Sequence, residues 1–205
     1  MTSRVATKSL LLLAPFAEDD PSHVNVVVET PQGSRNKYDY DGRLGLFKLG
    51  GVLPSGASFP FDFGFVPSTL GGDGDPLDVL VLMDEPAFPG CLVEARLVGV
   101  VEAEQTERDG ETTRNDRLVG VAAESRLLAR VRTLEHLGPD LLEEIEHFFV
   151  SYNEAKNKIF KPLGRHGPQR ALQLLSEGEK LFRQKKKKAA TKSAKRGSRT
   201  ARKKR

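Results

Sequence analysis

The stretch GGDGDPLDVLVLM, residues 71–83, is the part of the chain from which the fold is most readily deduced. Its first eight residues combine turn-forming glycines and a proline with three carboxylates, those of Asp73, Asp75 and Asp78. The apolar run that follows predicts a buried strand from Val79 to Met83. Like charges this close raise one another's pKa unless a cation lies among them, so the turn predicts a site for a hard divalent cation. A solvated Asp-Gly turn is the alternative that the spacing alone leaves open.

Further β-strand patterns flank this stretch on both sides. The β-branched run Val24–Val28 is closed by turn residues, and the apolar run Cys91–Glu104 contains Gly99 as a point for a bulge or a close backbone approach. A polar turn precedes Leu118–Val121. Because turn signals rather than helices separate these strands, the region predicts a small closed barrel and not a parallel sheet.

Two helices are predicted after the strands. Apolar side chains from Leu141 to Tyr152 recur at helical spacing along one face, with glutamates on the other and Asp140 as the N-cap. A second helix is predicted from Pro168 to Phe182. The fold class is therefore α+β, mainly β, with the helices at the C-terminal end.

Charge divides the chain into an acidic body and a basic tail. Residues 183–205 contain 13 Lys and Arg and no acidic residue, which leaves residues 1–182 with 19 basic and 28 acidic residues, a net charge of −9. We expect a catalytic domain over 1–182 and a disordered basic tail over 183–205. Nucleic acid, polyphosphate or ribosomes are candidate partners of the tail, and a solvated tail without a fixed partner is the alternative.

The compartment is predicted from the cysteine count and from the apolar runs. The single cysteine, Cys91, cannot form an internal disulfide, which favours a reducing, cytoplasmic compartment. The apolar stretch Leu10–Ala17 is short and interrupted by Pro15, so we expect it to pack on the body rather than to act as a signal peptide. No apolar run reaches the roughly 20 residues that span a bilayer.

Cations accompany the carboxylates elsewhere in the sequence. Alternation along a strand places Lys37 and Asp39 on one face, shortly after Glu29 ends a β-branched run. Asp116 and Arg117 precede another strand. Such cations beside carboxylates suit an anionic, metal-bridged substrate such as a phosphate, although each pair taken alone is also typical of a structural ion pair.

Taken together, these motifs resemble the family I soluble inorganic pyrophosphatases. The specific signature is Asp73-Gly-Asp75-Pro-x-Asp78-Val, and the similarity extends from about Val26 to Phe182. Other matching segments are Glu29, Lys37-Tyr38, Pro-x-Asp62-Phe63-Gly64, Pro89-Gly90 and His147-Phe148-Phe149 followed by Tyr152.

The resemblance implies a fold and an activity. The fold is a closed, OB-like, five-stranded β-barrel flanked by C-terminal α-helices, and the chain is a homo-oligomer, a hexamer in many bacterial members. The activity is hydrolysis of inorganic pyrophosphate to two phosphates with several Mg²⁺ ions and an activated water. By position, the resemblance implies that Asp73, Asp78 and Asp116 are metal ligands.

It further implies that Asp75 binds metal and, as the catalytic residue, orients and deprotonates the attacking water. The residues implied to bind substrate are Lys37, Arg117 and Tyr152 on the phosphate oxygens, with Glu29 and Asp39 supporting the metal cluster.

The sequence also departs from the family pattern. The arginine expected after the second strand falls at Gly50 or Gly51, two expected tyrosines correspond to Phe59 and Phe63, and the expected lysine after Tyr152 is Asn153. In the second carboxylate pair, Asn115 holds one position, and Glu107 or Asp109 supplies the other. Lys48, Lys158 or Arg165 are candidates to replace the lost cations.

Two other functions stay open on the sequence alone. One is a metal-dependent phosphohydrolase that acts on nucleotides or longer polyphosphates, because the departures fall on residues that shape the phosphate pocket. The other is a non-catalytic OB-type nucleic-acid-binding protein, which the basic tail favours and which the acidic body disfavours.

Overall fold

The computed structural model describes residues 9–202, with side chains as far as Ala189 and at Thr191. Within that part of the chain, a mainly β body precedes two α-helices, and no helix is long and apolar enough to span a bilayer. The strands are β1 Val24–Thr30, β2 Asn36–Asp41, β3 Leu46–Val52, β4 Asp62–Val66, β5 Leu77–Leu82, β6 Leu92–Thr106, β7 Thr112–Arg114, β8 Arg117–Ala122 and β9 Ile159–His166. The helices are α1 Pro139–Glu154 and α2 Pro168–Arg202, with short 3₁₀ helices at Leu10–Leu12 and Leu134–Leu137.

Five strands close into a ring. β1 pairs with β4, β4 with β5, β5 with β8, β8 with β6, and β6 returns to β1. Only β5 and β8 pair in parallel; the other pairs of the ring are antiparallel. The 15-residue strand β6 extends beyond the ring, where it pairs with β7 and β9, and β2 and β3 form a separate hairpin. The predicted fold class, a closed ring of five strands followed by helices, is confirmed.

Two apolar clusters hold the helices against the ring. Leu80 and Leu82 of β5 belong to the cluster that contains Phe149 of α1. Val79 and Val81 belong to the other cluster, which contains Leu175 of α2. Neighbouring residues of a strand point to opposite faces, so the continuous apolar run of β5 serves both clusters at once.

Gly99 is the bulge that the sequence predicts. The register between β6 and β8 shifts between Leu97 and Gly99. A Cβ at Gly99 would lie 2.5 Å from the carbonyl oxygen of His166 in β9, so a larger residue does not fit here without displacement.

Local details differ from what the sequence predicts. Helix α1 begins at Pro139 after Gly138, so Asp140 lies in the first turn and is not the N-cap. Strand β9, for which the sequence shows no strand pattern, ends at Arg165 and His166 and pairs with the edge of β6 despite its glycine and proline.

The second predicted helix continues beyond Phe182. Helix α2 runs from Pro168 to Arg202, whereas the sequence analysis expects disorder from Arg183 onward. Lysine, arginine and alanine have high helix propensity, and the first turns are already packed through Ala171 and Leu175. The helix can therefore propagate into the basic segment, although its like charges repel one another.

Candidate active site

The loop between β4 and β5 carries the three clustered aspartates and folds back on itself. The Gly71 N–H donates to the Asp75 carbonyl oxygen at 2.6 Å, and the Asp75 N–H donates to Asp73 Oδ1 at 3.1 Å. Gly74 has a φ of +92°, which residues with a Cβ seldom adopt. Asp78 is the second residue of β5. The turn and the strand together present all three carboxylates to one cleft.

This cleft has a volume of about 520 Å³ and is strongly charged. Seven acidic and four basic side chains line it, which gives its wall a formal charge of −3. The acidic residues are Glu29, Asp39, Asp73, Asp75, Asp78, Glu107 and Glu111, and the basic residues are Lys37, Arg117, Lys156 and Lys158. An anionic substrate requires additional positive charge to enter such a cleft.

Lys37 is a buried cation between two carboxylates. Its Nζ donates to Asp39 Oδ1 at 2.7 Å, to Glu29 Oε2 at 3.2 Å and to the Tyr38 carbonyl oxygen at 2.6 Å. Burial lowers the pKa of Lys37, but the carboxylates of Glu29 and Asp39 outweigh that effect and raise it above its ordinary value. Burial raises the pKa of Glu29, against the opposing charge of Lys37. Lys37 is therefore a fixed positive charge.

Arg117 is the second buried cation of the cleft. Its Nη1 donates to Asp78 Oδ2 and to Asn115 Oδ1, and its guanidinium carbon lies 4.9 Å from the ring centroid of Phe149 and 5.4 Å from that of Phe160. Burial raises the pKa of Asp78 to about 6, although Arg117 opposes this rise. A half-buried carboxyl with this pKa favours the approach of a further cation.

Tyr152 and two lysines form the wall contributed by the end of α1. Lys156 Nζ donates to the Tyr152 hydroxyl oxygen and lies 4.1 Å from the centroid of its ring. Burial raises the pKa of Tyr152 to about 12, so the hydroxyl keeps its proton. Lys158 Nζ instead pairs with Glu107 at 2.7 Å, and Gln105 also donates to Glu107.

The donor set of the cleft suits Mg²⁺. Asp73 and Asp78 provide hard oxygen donors; desolvation raises the pKa of both carboxyls, and the charge of neighbouring carboxylates adds to the rise. Over residues 9–202, no three acidic, histidine or cysteine side chains stand close enough to form a complete metal cage. Mg²⁺ does not need such a cage, since it is commonly held by one or two carboxylates together with water and substrate phosphates.

Eight of the nine predicted site residues line this cleft: Glu29, Lys37, Asp39, Asp73, Asp75, Asp78, Arg117 and Tyr152. Asp116, the predicted metal ligand, does not. Its Oδ1 accepts hydrogen bonds from the Ala103 N–H at 2.9 Å and from Arg114 Nη2 at 2.8 Å. Asn115 and Asp116 lie between the end of β7 and the start of β8. The side chains on either side of Asp116 line the cleft, whereas its own side chain lines a neighbouring cavity that Asp73 and Asp78 also line.

Of the residues considered for the second carboxylate pair, Asn115 and Glu107 line the cleft and Asp109 does not. Asp109 instead accepts a hydrogen bond from the Glu111 N–H in the turn between β6 and β7.

Gly50 and Gly51 have opposite surroundings. A Cβ at Gly50 would lie 1.7 Å from Asp39 Oδ2, whereas a Cβ at Gly51 would meet no described atom within 4 Å. Gly51 pairs with Lys37 across the hairpin, so it adjoins the cleft. Gly50 leaves room for the carboxylate that holds Lys37, and Gly51 leaves space where a side chain could stand.

Of the three candidate replacement cations, Lys158 lines the cleft and the other two do not. Lys48 Nζ lies 3.7 Å from Asp41 on the outer side of the hairpin, and Arg165 pairs with Glu146 at 2.7 Å. The wall residues Phe59 and Phe63 belong to the apolar core. Asn153 is buried and donates to the Phe149 carbonyl oxygen.

Lys156 lines the cleft but is not among the predicted site residues. It follows Tyr152 by four residues, the spacing that brings side chains together on one helix face. The structure places it one turn beyond Tyr152, with the Nζ over the tyrosine ring. That spacing is the signal by which it could have been found.

Comparison with known proteins connects this site with a family. The family model described as inorganic pyrophosphatase matches residues 26–183. The inorganic pyrophosphatase of a Nostoc species is 37% identical over 167 residues, which are 82% of this chain and 96% of that protein. The chain belongs to the inorganic pyrophosphatase family.

Solved structures agree with this assignment. The crystal structure of inorganic pyrophosphatase from Thermus thermophilus matches with a TM-score of 0.77 and 35% identity, and the match covers 86% of this chain and 99% of that one. The inorganic pyrophosphatase from Neisseria gonorrhoeae matches with a TM-score of 0.75 and 31% identity over 83% of this chain and 96% of that one. The family match ends at residue 183, so nearly all of the basic tail, residues 183–205, lies outside it.

Proposed function

We propose that this chain hydrolyses inorganic pyrophosphate to two orthophosphates with the help of Mg²⁺. The observation that carries the proposal is the convergence of Asp73, Asp75 and Asp78 with two buried cations, Lys37 and Arg117, in one cleft. Membership of the inorganic pyrophosphatase family supports it independently. An acidic cleft of this kind disfavours the alternative of a non-catalytic nucleic-acid-binding protein, because it repels a phosphate backbone.

The metal ligands in this proposal are Asp73 and Asp78, together with Asp75. When bound, Mg²⁺ lowers the pKa of a coordinated water and neutralises charge on the phosphates. Asp116 is not included, because Arg114 and the Ala103 N–H hold its carboxylate outside the cleft. Asn115 and Glu107 line the same cleft and are the candidates for the second pair.

The side chains of the cleft position the reacting groups. Asp75 lies on an exposed turn, where its carboxylate orients the attacking water and accepts its proton. Lys37 and Arg117 are fixed before the substrate arrives, so they stabilise the charge that develops on the phosphate oxygens without reorganisation. The Tyr152 hydroxyl, which accepts from Lys156, keeps its own hydrogen to donate to a phosphate oxygen.

The test of this mechanism is the variant Asp75→Asn, which keeps the size of the side chain and removes the base. We expect kcat to fall by roughly 10²- to 10⁴-fold, the usual contribution of general base catalysis. Asp109→Asn is the matched control, because Asp109 lies in a turn outside the cleft. Near-normal turnover in Asp75→Asn would reject Asp75 as the base.

We also propose that the basic segment of the chain binds polyanions such as nucleic acid or polyphosphate. Its 13 basic residues without an acidic one favour counterion release on binding. Binding to duplex DNA is expected to weaken steeply with salt and to disappear in a variant that ends at Phe182. Equal binding by that shortened chain would contradict the proposal.

We propose that the chain forms a homo-oligomer, a hexamer by the family resemblance. Four apolar side chains of the β2–β3 hairpin, Leu44, Leu46, Leu49 and Val52, are 59% to 62% exposed, which favours burial against another copy. Sedimentation equilibrium tests this, since Leu46→Lys is expected to lower the oligomeric state.

We also propose a reducing, cytoplasmic compartment, which the free Cys91 supports.

A further inference from the structure

A second cavity adjoins the cleft at the place where Gly51 has no side chain. Its volume is about 200 Å³, and it shares Lys37, Tyr152 and Lys156 with the main cleft. Gly51, Leu53 and Pro54 are among the other residues that line it. The two spaces therefore meet at two ammonium groups and a hydroxyl.

Lys156 differs from the other cations of the cleft. Lys37 pairs with Glu29 and Asp39, Arg117 with Asp78, and Lys158 with Glu107. Throughout residues 9–202, no ion pair within 4.0 Å is found for Lys156.

The hydrogen bond from Lys156 Nζ goes to the neutral Tyr152 hydroxyl, and burial lowers the pKa of the ammonium although the more distant charge of Asp39 opposes this. A partly desolvated ammonium with no carboxylate in direct contact gains most when an anion joins it. Tyr152 adds a hydroxyl hydrogen that Lys156 leaves free. The shared corner of the two cavities thus provides a charged donor, a neutral donor and open space beyond them, which suits a phosphoryl group.

We propose that Lys156 and the space beside Gly51 form a subsite for one additional phosphoryl group, so that linear inorganic tripolyphosphate is bound and hydrolysed in the same cleft as pyrophosphate. The inference rests on the proposed function and extends its substrate class. In the reaction, the oxygen of water bonds to a terminal phosphorus and the bridging P–O bond breaks. One proton of water stays on the orthophosphate, and the other goes to the pyrophosphate that leaves.

The experiment compares kcat/KM for tripolyphosphate and for pyrophosphate, with Mg²⁺, in the native protein and two variants. Gly51→Leu fills the cavity without adding charge, and Lys156→Gln removes the ammonium. Each variant is expected to lower the ratio of the two kcat/KM values about tenfold or more, because Gly51→Leu occupies the space of the third phosphoryl group and Lys156→Gln removes a charge-assisted hydrogen bond to it. Lys158→Gln is the control: it lies outside the second cavity and is expected to lower both values in the same proportion.

The outcomes separate this inference from the proposed function. If pyrophosphate is hydrolysed and neither variant changes the ratio, the subsite is rejected and the function stands. If neither substrate is hydrolysed, the proposed function fails. Binding at the subsite is then tested by measuring the thermal unfolding midpoint with and without tripolyphosphate and Mg²⁺. A midpoint raised in the native protein and not in Gly51→Leu supports the subsite, and equal shifts in both proteins reject it.

Discussion

Restoring a side chain at Gly51 should increase activity toward pyrophosphate. The variant Gly51→Arg places a guanidinium next to Lys37, where a Cβ meets no described atom within 4 Å. A charge-assisted hydrogen bond from arginine to a phosphate oxygen is worth roughly 1.5–3 kcal/mol. At about 1.4 kcal/mol for each factor of ten, kcat/KM for pyrophosphate should rise roughly 10- to 100-fold.

The neighbouring glycine supplies a matched control for that variant. In Gly50→Arg the same chemical change places a Cβ 1.7 Å from Asp39 Oδ2, so Asp39 must move away from Lys37. We expect kcat/KM to fall and the free energy of unfolding to drop by about 1–3 kcal/mol, as in other overpacked sites. Steady-state phosphate release and thermal unfolding measure both variants. A lower kcat/KM in Gly51→Arg together with an unchanged kcat/KM in Gly50→Arg would show that the space at Gly51 does not adjoin the bound phosphate.

Three further predictions concern buried groups. Lys37→Met leaves Glu29 buried without its cation, so the free energy of unfolding should fall by about 3–5 kcal/mol and the thermal unfolding midpoint in EDTA by roughly 6–20 °C. Adding Glu29→Gln should recover part of the lost stability. A midpoint of Lys37→Met within 2 °C of the native value, which corresponds to about 1 kcal/mol, would contradict the prediction. Because burial raises the pKa of Asp78 to about 6, protons compete with Mg²⁺ below that pH. Calorimetric titration should show Mg²⁺ affinity falling up to about tenfold per pH unit below pH 6, and a constant affinity from about pH 5 to 8 would count against Asp78 as a ligand. Gly99→Ala should lower the unfolding free energy by about 1–3 kcal/mol, measured by urea titration, because its Cβ would lie 2.5 Å from the His166 carbonyl oxygen; unchanged stability would show that β9 yields at that point.

The parts of the fold that the sequence predicts are those with a strong local pattern. The run Val79–Met83 reads as a buried strand because both of its faces are covered, and it is observed as β5. The β9 strand has no such pattern, since Pro162 and Gly164 interrupt it. Its pairing depends on the length of β6, which is a tertiary property that no local window contains.

In the site, too, the residues that the sequence predicts correctly are those set by a local pattern. Asp73, Asp75 and Asp78 lie on one short turn, so their convergence is a local property that the sequence predicts. The family resemblance implies that Asp116 is a metal ligand, whereas in the structure its carboxylate accepts hydrogen bonds from the Ala103 N–H and from Arg114, contacts that no local sequence pattern contains. Lys156 was overlooked because a single lysine near the end of a helix is usually solvated, and only the packed position of Tyr152 shows that this one is half-buried.

The most direct test of the account is phosphate release from pyrophosphate by the purified protein. The assay uses Mg²⁺ at about 5 mM, the range in which a site that retains several waters fills, beside an EDTA control and ATP as the alternative substrate. The account predicts release from pyrophosphate that requires Mg²⁺ and greatly exceeds release from ATP. No release from pyrophosphate, or equal release with EDTA, would contradict it.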